Sequence, residues 1–351
     1  MALLWFDGFD RYGDDSGYVD PRQIMLCRYQ LAGNGNLNIA ARPGRFEGYS
    51  ISILWDASHW FQTPYLTTDK TLIVGFSMYQ DESRNGIFMS LRTINNYYVG
   101  LQLQLNSDGS FSVLRGWTVL GTTAAGVLPL DEWKFIQLKV YCDGTSGTVE
   151  LRVDNTTELT LTGINTQDDP SHDYYAAVRF QSITHIWEQS PRFDDFWVCD
   201  STGGAPCNDF LGPGHMVQPL IPSSAGDSSD WDVTPGPDHY AAVDELVQDD
   251  TEYVESVTTD DLDLYHYDSP PTMNEIKGLQ VHSEARVTGT TERTLKTVIK
   301  HDYITESEDA GQYVGNSNYL AFTRLMPLNP VTGVAWIRDD VDNLQAGVKV
   351  G

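Results

Sequence analysis

Apolar and polar residues alternate with a period of two through most of the first 200 residues, the pattern of half-buried strands. "TLIVGFSMY" sets Leu72, Val74, Phe76 and Met78 on one face. "GLQLQLNSDGSFSVLRG" alternates Leu101, Leu103 and Leu105 with Gln102 and Gln104, turns at Asp108-Gly109, and resumes at Phe111 and Val113, which predicts a hairpin. "WKFIQLKVYCDG" separates Ile136, Leu138, Val140 and Cys142 from Gln137, Lys139 and Tyr141, and "TVELRVDN" and "TELTLTG" repeat the pattern. Further strands are predicted at "YSISILW", "GIFMSLR", "AAVRFQSI" and "FDDFWVCD". The runs are short and separated by Gly, Asn, Asp and Pro, with no helical period. Packing such strands economically takes two antiparallel sheets face to face.

Near the start, "LLWFDGFDRYG" poses a choice between the beginning of an active site and the edge of a core. Alternation puts Trp5, Asp7 and Phe9 on one side and Phe6, Gly8 and Asp10 on the other. Neither face is purely apolar, so an edge strand is predicted, closing against "FDDFWVCD".

The alternation stops after residue 202, where Gly, Pro and Ser take over. At 351 residues two domains are the natural expectation. The sequence therefore predicts a sandwich over 1–202, a linker over 203–227 and a β-rich domain over 228–351. The last contains strands at "GLQVHSEARV", "RTLKTVIK" and "NYLAFTRL" and short helical turns in "DHYAAVDELV" and "RDDVDNLQAG".

Charge narrows the partners. The chain has 49 acidic and 22 basic residues, a formal net charge of −27, which opposes binding to nucleic acid or anionic membranes. Between Asp227 and Asp268 there are 14 acidic residues and no Lys or Arg, a solvated acidic surface or a docking place for a cation or basic partner. "MALLWFDGFD" lacks a basic leader and no run of about 18 apolar residues occurs, so no signal peptide and no membrane insertion are expected. Cys27, Cys142, Cys199 and Cys207 form no C-x-x-C pair and are expected to be free thiols.

Motifs for chemistry are missing. A sandwich glucanase needs paired carboxylates projecting from one strand, and the E-x-D-x-x-E spacing is absent from the first domain. The nearest imitation, Asp250, Glu252 and Glu255 in "DTEYVE", has the wrong order and lies outside it. No G-x-S-x-G, phosphate loop or H-E-x-x-H occurs. No catalytic residue is assigned, and the chain is expected not to be an enzyme. His59 and His172 lie in predicted loops, packing at a rim or meeting a ligand. No cofactor is assigned. Calcium is the one cation that the acidic loops admit, through Asp14, Asp15, Asp168, Asp194 or Asp195, although none has the spacing of a dedicated calcium loop.

The stretch "PLDEWKFIQLKVYCDGTSGTVELRVDNTTELTLTG" resembles the central hairpin of laminin-G-like, or concanavalin-like, jelly-roll domains through Trp133, Gly144, Gly147, Val153, Asp154 and Asn155. The resemblance covers about 200 residues and implies a jelly roll closed by "FDGFD" and "FDDFWVCD". Such domains bind carbohydrate, cleave it, or serve as structural modules. Trp55, Trp60, Tyr65 and Trp117 are the aromatics that could meet a glycan, each with core filling as its alternative role.

The second region resembles a pattern recurrent in tailed-bacteriophage virion proteins. It is carried by Trp231, "VDE" at Val243, "DDTEYV" at Asp249, "DLY" at Asp263, "NPVTG" at Asn329, Trp336 and the terminal "GVKV". The resemblance implies a structural protein on a tail, fibre or capsid surface, made in the host cytoplasm. It would assemble with itself, most plausibly as a trimer, and with other virion proteins. The alternatives are a carbohydrate-binding module for host attachment and a glycan-degrading enzyme.

Overall fold

The computed structural model describes residues 3–12, 25, 28–32, 38–46, 48–54, 59–95, 98–183, 191–204, 207–246, 251–271, 275–289, 293–301, 305–315 and 319–351. The protein is almost entirely antiparallel β-structure and divides into two compact units, Met1–Gln218 and Pro219–Gly351.

The first unit contains β1 (Leu3–Asp7), β2 (Gln30–Ala32), β3 (Asn38–Pro43), β4 (Tyr49–Leu54), β5 (Trp60–Gln62), β6 (Thr71–Tyr79), β7 (Gly86–Arg92) and β8 (Leu101–Leu105). It continues with β9 (Phe111–Arg115), β10 (Thr118–Thr122), β11 (Lys134–Tyr141), β12 (Gly147–Val153), β13 (Thr156–Ile164), β14 (Ala177–Gln181) and β15 (Arg192–Asp200). Eight strands form one sheet in the order β13-β12-β11-β6-β15-β4-β3, with β1 paired to β15. Seven form the other, β10-β9-β8-β7-β14-β5-β2. The predicted alternation is realised in both. Ile136, Leu138, Phe76, Leu103, Val113 and Phe180 are fully buried. Rings from the two sheets meet between them, Phe76 with Phe180 at 5.3 Å and Phe88 with Phe193 at 6.0 Å.

Strand β15 serves two neighbours on one side because its register breaks between Asp194 and Trp197, where Asp195 has φ of 50°. Arg192 and Phe193 pair with β4, and Phe196 to Cys199 pair with β1. Past the break Trp197 lies over Gly75 of β6, where a Cβ would collide with the indole. "LLWFD" is therefore a strand whose one ladder is with β15, as its mixed faces predict.

The segment 203–227, predicted as a linker, is built into both units. In the first, Gly212 N donates to Gln137 Oε1 at 2.9 Å, Arg45 Nη2 to Pro213 O at 2.8 Å and Val217 N to Asp195 Oδ1 at 3.0 Å. Phe210 takes the Arg152 guanidinium over its ring at 4.1 Å. The segment thus straps the outward side of the eight-stranded sheet. Its last residues begin β16 (Pro222–Ser229) of the second unit. In its last residues the composition that suggested a linker is that of a strand with most side chains in solvent, held by backbone pairing and by Asp227, which pairs with Lys300 Nζ at 2.9 Å.

The second unit adds β17 (Asp232–Thr234), β18 (Tyr253–Glu255), β19 (Leu262–Tyr267), β20 (Leu279–Ala285), β21 (Arg293–His301), β22 (Thr305–Glu308), β23 (Gln312–Val314), β24 (Leu320–Met326), α1 (Arg338–Asp342) and β25 (Gln345–Val350). The main sheet runs β16-β19-β25-β21-β22, with β23 on β21, beside the hairpins β17-β18 and β20-β24. Its largest cluster joins Ile276, Ile299, Met326, Trp336, Val341, Leu344 and Ala346. Three motif residues of this region, Asn329, Trp336 and Gly347, are structural. Asn329 is buried and holds its turn by accepting from Val331 N at 2.9 Å, and Trp336 Nε1 donates to Met326 O at 2.9 Å. "GVKV" lies in the central strand β25, where a Cβ on Gly347 would collide with Asp263 O. No helix among the described residues is long and apolar enough to cross a membrane.

Candidate functional site

The two sheets of the first unit differ in charge. No strand of the seven-stranded sheet contains Asp or Glu, and three arginines, Arg92, Arg115 and Arg179, lie in it. The eight-stranded sheet contains Asp7, Glu150, Glu158, Asp194, Asp195 and Asp200.

Register assembles a row across the seven-stranded sheet. Arg179 of β14 stands opposite Gln62 of β5 and Ser90 of β7, Ser90 opposite Gln102 of β8, Gln102 opposite Leu114 of β9, and Gln62 opposite Gln30 of β2. These positions face outward, since their neighbours Phe61, Phe180, Leu91, Leu103 and Val113 fill the core. The row is nonetheless withdrawn from water. Gln62 is 0% exposed, Ser90 1%, Gln102 3% and Arg92, two residues beyond Ser90, 4%.

Part of the row is internally bonded. Arg179 Nε donates to Gln62 Oε1 at 3.0 Å, and Gln62 Nε2 donates to Gln30 Oε1 at 3.2 Å. Trp60, two residues before Gln62, takes the Arg179 guanidinium over its ring at 3.7 Å. Arg92 Nη1 donates to Val99 O at 2.7 Å. Tyr65, half in solvent, donates its hydroxyl to Ile94 O at 3.2 Å and lies near both arginines. Ser90 Oγ and Gln102 Oε1 are buried without a hydrogen-bond partner among the described residues. Burial, and after it the charge of Arg92, pushes Arg179 down to about 9. A partly exposed guanidinium set on an aromatic ring, with a half-exposed tyrosine near it on one sheet, is equipment for a polar ligand.

The sequence candidates distribute unevenly over this face. Trp60 and Tyr65 flank Arg179, but Trp117 does not join them. It occupies the two-residue turn between β9 and β10, is 83% exposed, and is separated from β14 by β7, β8 and β9. Core filling is excluded for it by that exposure. Trp55 lies outside the described residues. Sequence reasoning missed Arg179, Arg92, Gln62, Ser90 and Gln102. Their signal was the absence of Asp and Glu from seven strands of a chain with 49 acidic residues.

A second cluster lies on the other sheet, from "FDGFD" and "FDDF". Asp7 accepts from Tyr12 Oη at 2.6 Å, Tyr29 Oη at 2.8 Å and Phe9 N at 3.0 Å, with Arg28 Nη1 3.5 Å away. Burial raises the Asp7 carboxyl, but Arg28, Arg11 and these donors outweigh it and hold Asp7 below the usual range. Asp195 accepts from Ser77 Oγ at 2.9 Å and from Val217 N, while Asp194 accepts from Arg45 N at 2.8 Å and Asp195 N at 2.7 Å. Burial, then the Asp195 charge, pushes Asp194 up to about 8. Burial, then Asp7 and Asp195, pushes Asp10 up to about 7 against a bond from Tyr49 N. These oxygens are spent on the domain's own side chains and backbone, which makes the cluster a structural clasp.

The remaining candidates resolve simply. His59 is buried, and His172 Nδ1 lies 2.7 Å from Asp169 Oδ2 with its ring edge on Tyr174. Asp168 Oδ2 accepts from Gly100 N at 2.9 Å. Asp14 and Asp15, named for calcium, and Asp250, from "DTEYVE", lie outside the described residues. Among the described residues no three potential ligands are placed to hold a metal ion.

No family model matches the chain, and no curated protein matches it. Solved structures similar to it include the catalytic domain of a glycoside hydrolase family 131 protein from Coprinopsis cinerea, 11% identical, covering 60% of this chain and 98% of that one with a TM-score of 0.39. Domain 4 of an extracellular arabinanase from Geobacillus stearothermophilus, in complex with arabinotriose, is 13% identical over 57% of this chain and 92% of that one, TM-score 0.35. The lumenal domain of VIP36 in a Ca2+/Man3GlcNAc-bound form is 13% identical over 48% and 84%, TM-score 0.31. Likeness at these levels carries no activity over to this chain. It does correct the expectation that the chain is not an enzyme. A glycoside hydrolase catalytic domain is among the similar structures.

Proposed function

We propose that the chain is a surface component of a tailed-phage particle whose first domain binds a glycan on the host surface. One observation carries the binding half: on the outward side of the seven-stranded sheet the partly exposed Arg179 lies over the ring of Trp60, with Tyr65 near it. Sugars are recognised by apolar ring faces set among fixed polar groups, which this face supplies on sheet rather than loop. The particle half rests on the sequence resemblance of the second region, whose motif residues Asn329, Trp336 and Gly347 maintain its fold. Assembly with copies of itself, as a trimer, and with other virion proteins completes the proposal.

A glycan array probed with the full chain tests the binding half. Binding is expected, and Trp60→Ala is expected to reduce it at least tenfold, while an array without signal overturns it. Reducing ends released from bound glycans would reveal cleavage in the same experiment. Light scattering on the purified chain, with electron microscopy of particles labelled at the C-terminus, tests the particle half. A strict monomer absent from particles overturns that half.

A further inference from the structure

We infer that the glycan recognised at this face is acidic, presenting a sugar carboxylate to Arg179 with Arg92 beside it. The inference rests on the proposed glycan-binding reading and narrows it to a ligand class.

The first argument is the company the arginines keep. Acidic residues outnumber basic ones 49 to 22, so a basic side chain is seldom far from a carboxylate. Arg28 has Asp7, Arg45 has Asp195, Arg84 has Asp81, Arg152 has Glu150 and Arg338 has Asp342. Arg179, like Arg115, Arg192 and Arg324, has no carboxylate within ion-pair distance among the described residues, and whereas Arg115 and Arg324 donate to backbone carbonyls, its two terminal nitrogens make no hydrogen bond there. The nearest charge to it is another cation. Arg92 stands opposite Ala177 while Arg179 stands opposite Ser90, a diagonal relation that places such residues about 7–8 Å apart. Asp168 is the carboxylate that Arg92 feels.

The second argument is geometric. Arg179 is partly buried on a sheet whose strands hold no acidic residue, with the charge of Arg92 beside it, so an anion at its exposed edge is favoured. A guanidinium stacked flat on an indole keeps its in-plane edge available, and a carboxylate matches that edge with two parallel hydrogen bonds. The net charge of −27 repels anions generally, so selection has to be local, as two arginines on one face make it.

The test is an array carrying uronate and sialate glycans, matched neutral glycans and matched sulfated glycans, read with the full chain and two variants. The unmodified chain is expected to prefer carboxylated over matched neutral glycans about tenfold or more, a preference that weakens as salt is raised. Arg179→Gln should erase the preference. Gln62→Glu, nearly isosteric, sets a permanent carboxylate against Arg179 Nε and should erase it too, with an unchanged melting temperature confirming the fold. Equal binding of acidic and neutral glycans, selection of sulfated glycans alone, or a preference that survives both variants overturns the inference and leaves glycan binding standing. An array blank for every glycan overturns glycan binding itself.

Discussion

On the eight-stranded sheet of the first unit, the outward side chains of Gln137, Trp197 and Asp195 are closed over by the chain's own 207–217 segment, and carboxylates there accept backbone N–H groups. On the seven-stranded sheet the outward row of Gln62, Arg179, Ser90 and Gln102 is polar and acid-free, and part of its hydrogen-bonding capacity is unused. Both faces bury polar groups, so burial alone does not tell structure from function. Each leaves buried polar atoms without a hydrogen-bond partner among the described residues, Gln137 Nε2 and Trp197 Nε1 on the first and Ser90 Oγ and Gln102 Oε1 on the second, so what distinguishes them is charge. The aspartates of "FDGFD" and "FDDF" accept from the domain's own donors and build it, whereas the acid-free row holds the partly exposed Arg179, to which an anion has something to offer.

Substitutions should separate the two faces by size of effect. Trp197→Ala empties the closed face above Gly75 and should destabilise the first unit by about 3–5 kcal/mol in chemical denaturation. A loss below about 1 kcal/mol would mean that the strap does not depend on the indole.

The clasp aspartates make the closed face sensitive to pH. Asp10 and Asp194 titrate near 7 and 8 when folded and near 4 when unfolded, so the folded chain holds protons that the unfolded chain releases. Stability from this source is fully present below about pH 4 and is lost as pH rises through about 8, by an amount on the order of a few kcal/mol. Melting temperature measured from pH 5 to 8.5 should fall, and Asp194→Asn should flatten the upper part of the slope. An unchanged slope in that variant would assign the dependence elsewhere.

The open face predicts smaller changes in stability and larger ones in binding. Ser90→Ala and Gln102→Leu remove polar atoms that have no partner among the described residues and should alter stability by less than about 1 kcal/mol. Destabilisation of 2 kcal/mol or more would mean that these atoms already serve the fold. The smallest effect belongs to Trp117→Ala. At an exposed hairpin tip it should change stability by less than about 0.5 kcal/mol and leave binding at the arginine row untouched. Loss of glycan binding in that variant would move the site to the hairpin.

Legibility along the chain followed the strength of the local signal. Strands such as "TLIVGFSMY" and "WKFIQLKVY" were readable because their inward residues are large and apolar and alternate without a break. The strand Pro222–Ser229 was hidden because it is held by backbone pairing to its neighbour, and "PSSAGDSS" has no apolar face to betray it. For the site, Trp60 and Tyr65 were visible as large aromatics, while Arg179 was one arginine in a strand otherwise read for its apolar residues.

The amino-acid sequence by itself determined the all-β class and the position of most strands, because period-two alternation and turn residues are local properties. It also determined that seven strands contain no carboxylate, although not that those seven share a sheet. Tertiary structure alone decided that Gln62, Arg179, Ser90 and Gln102 form one row, since they come from strands up to 117 residues apart that only ladder register brings opposite one another. It decided equally that Trp117 stands apart and that the aspartates are consumed by the domain's own side chains and backbone. A side chain's chemistry is written in its residue type, but whether that chemistry is spent or available depends on partners that lie far away in the chain.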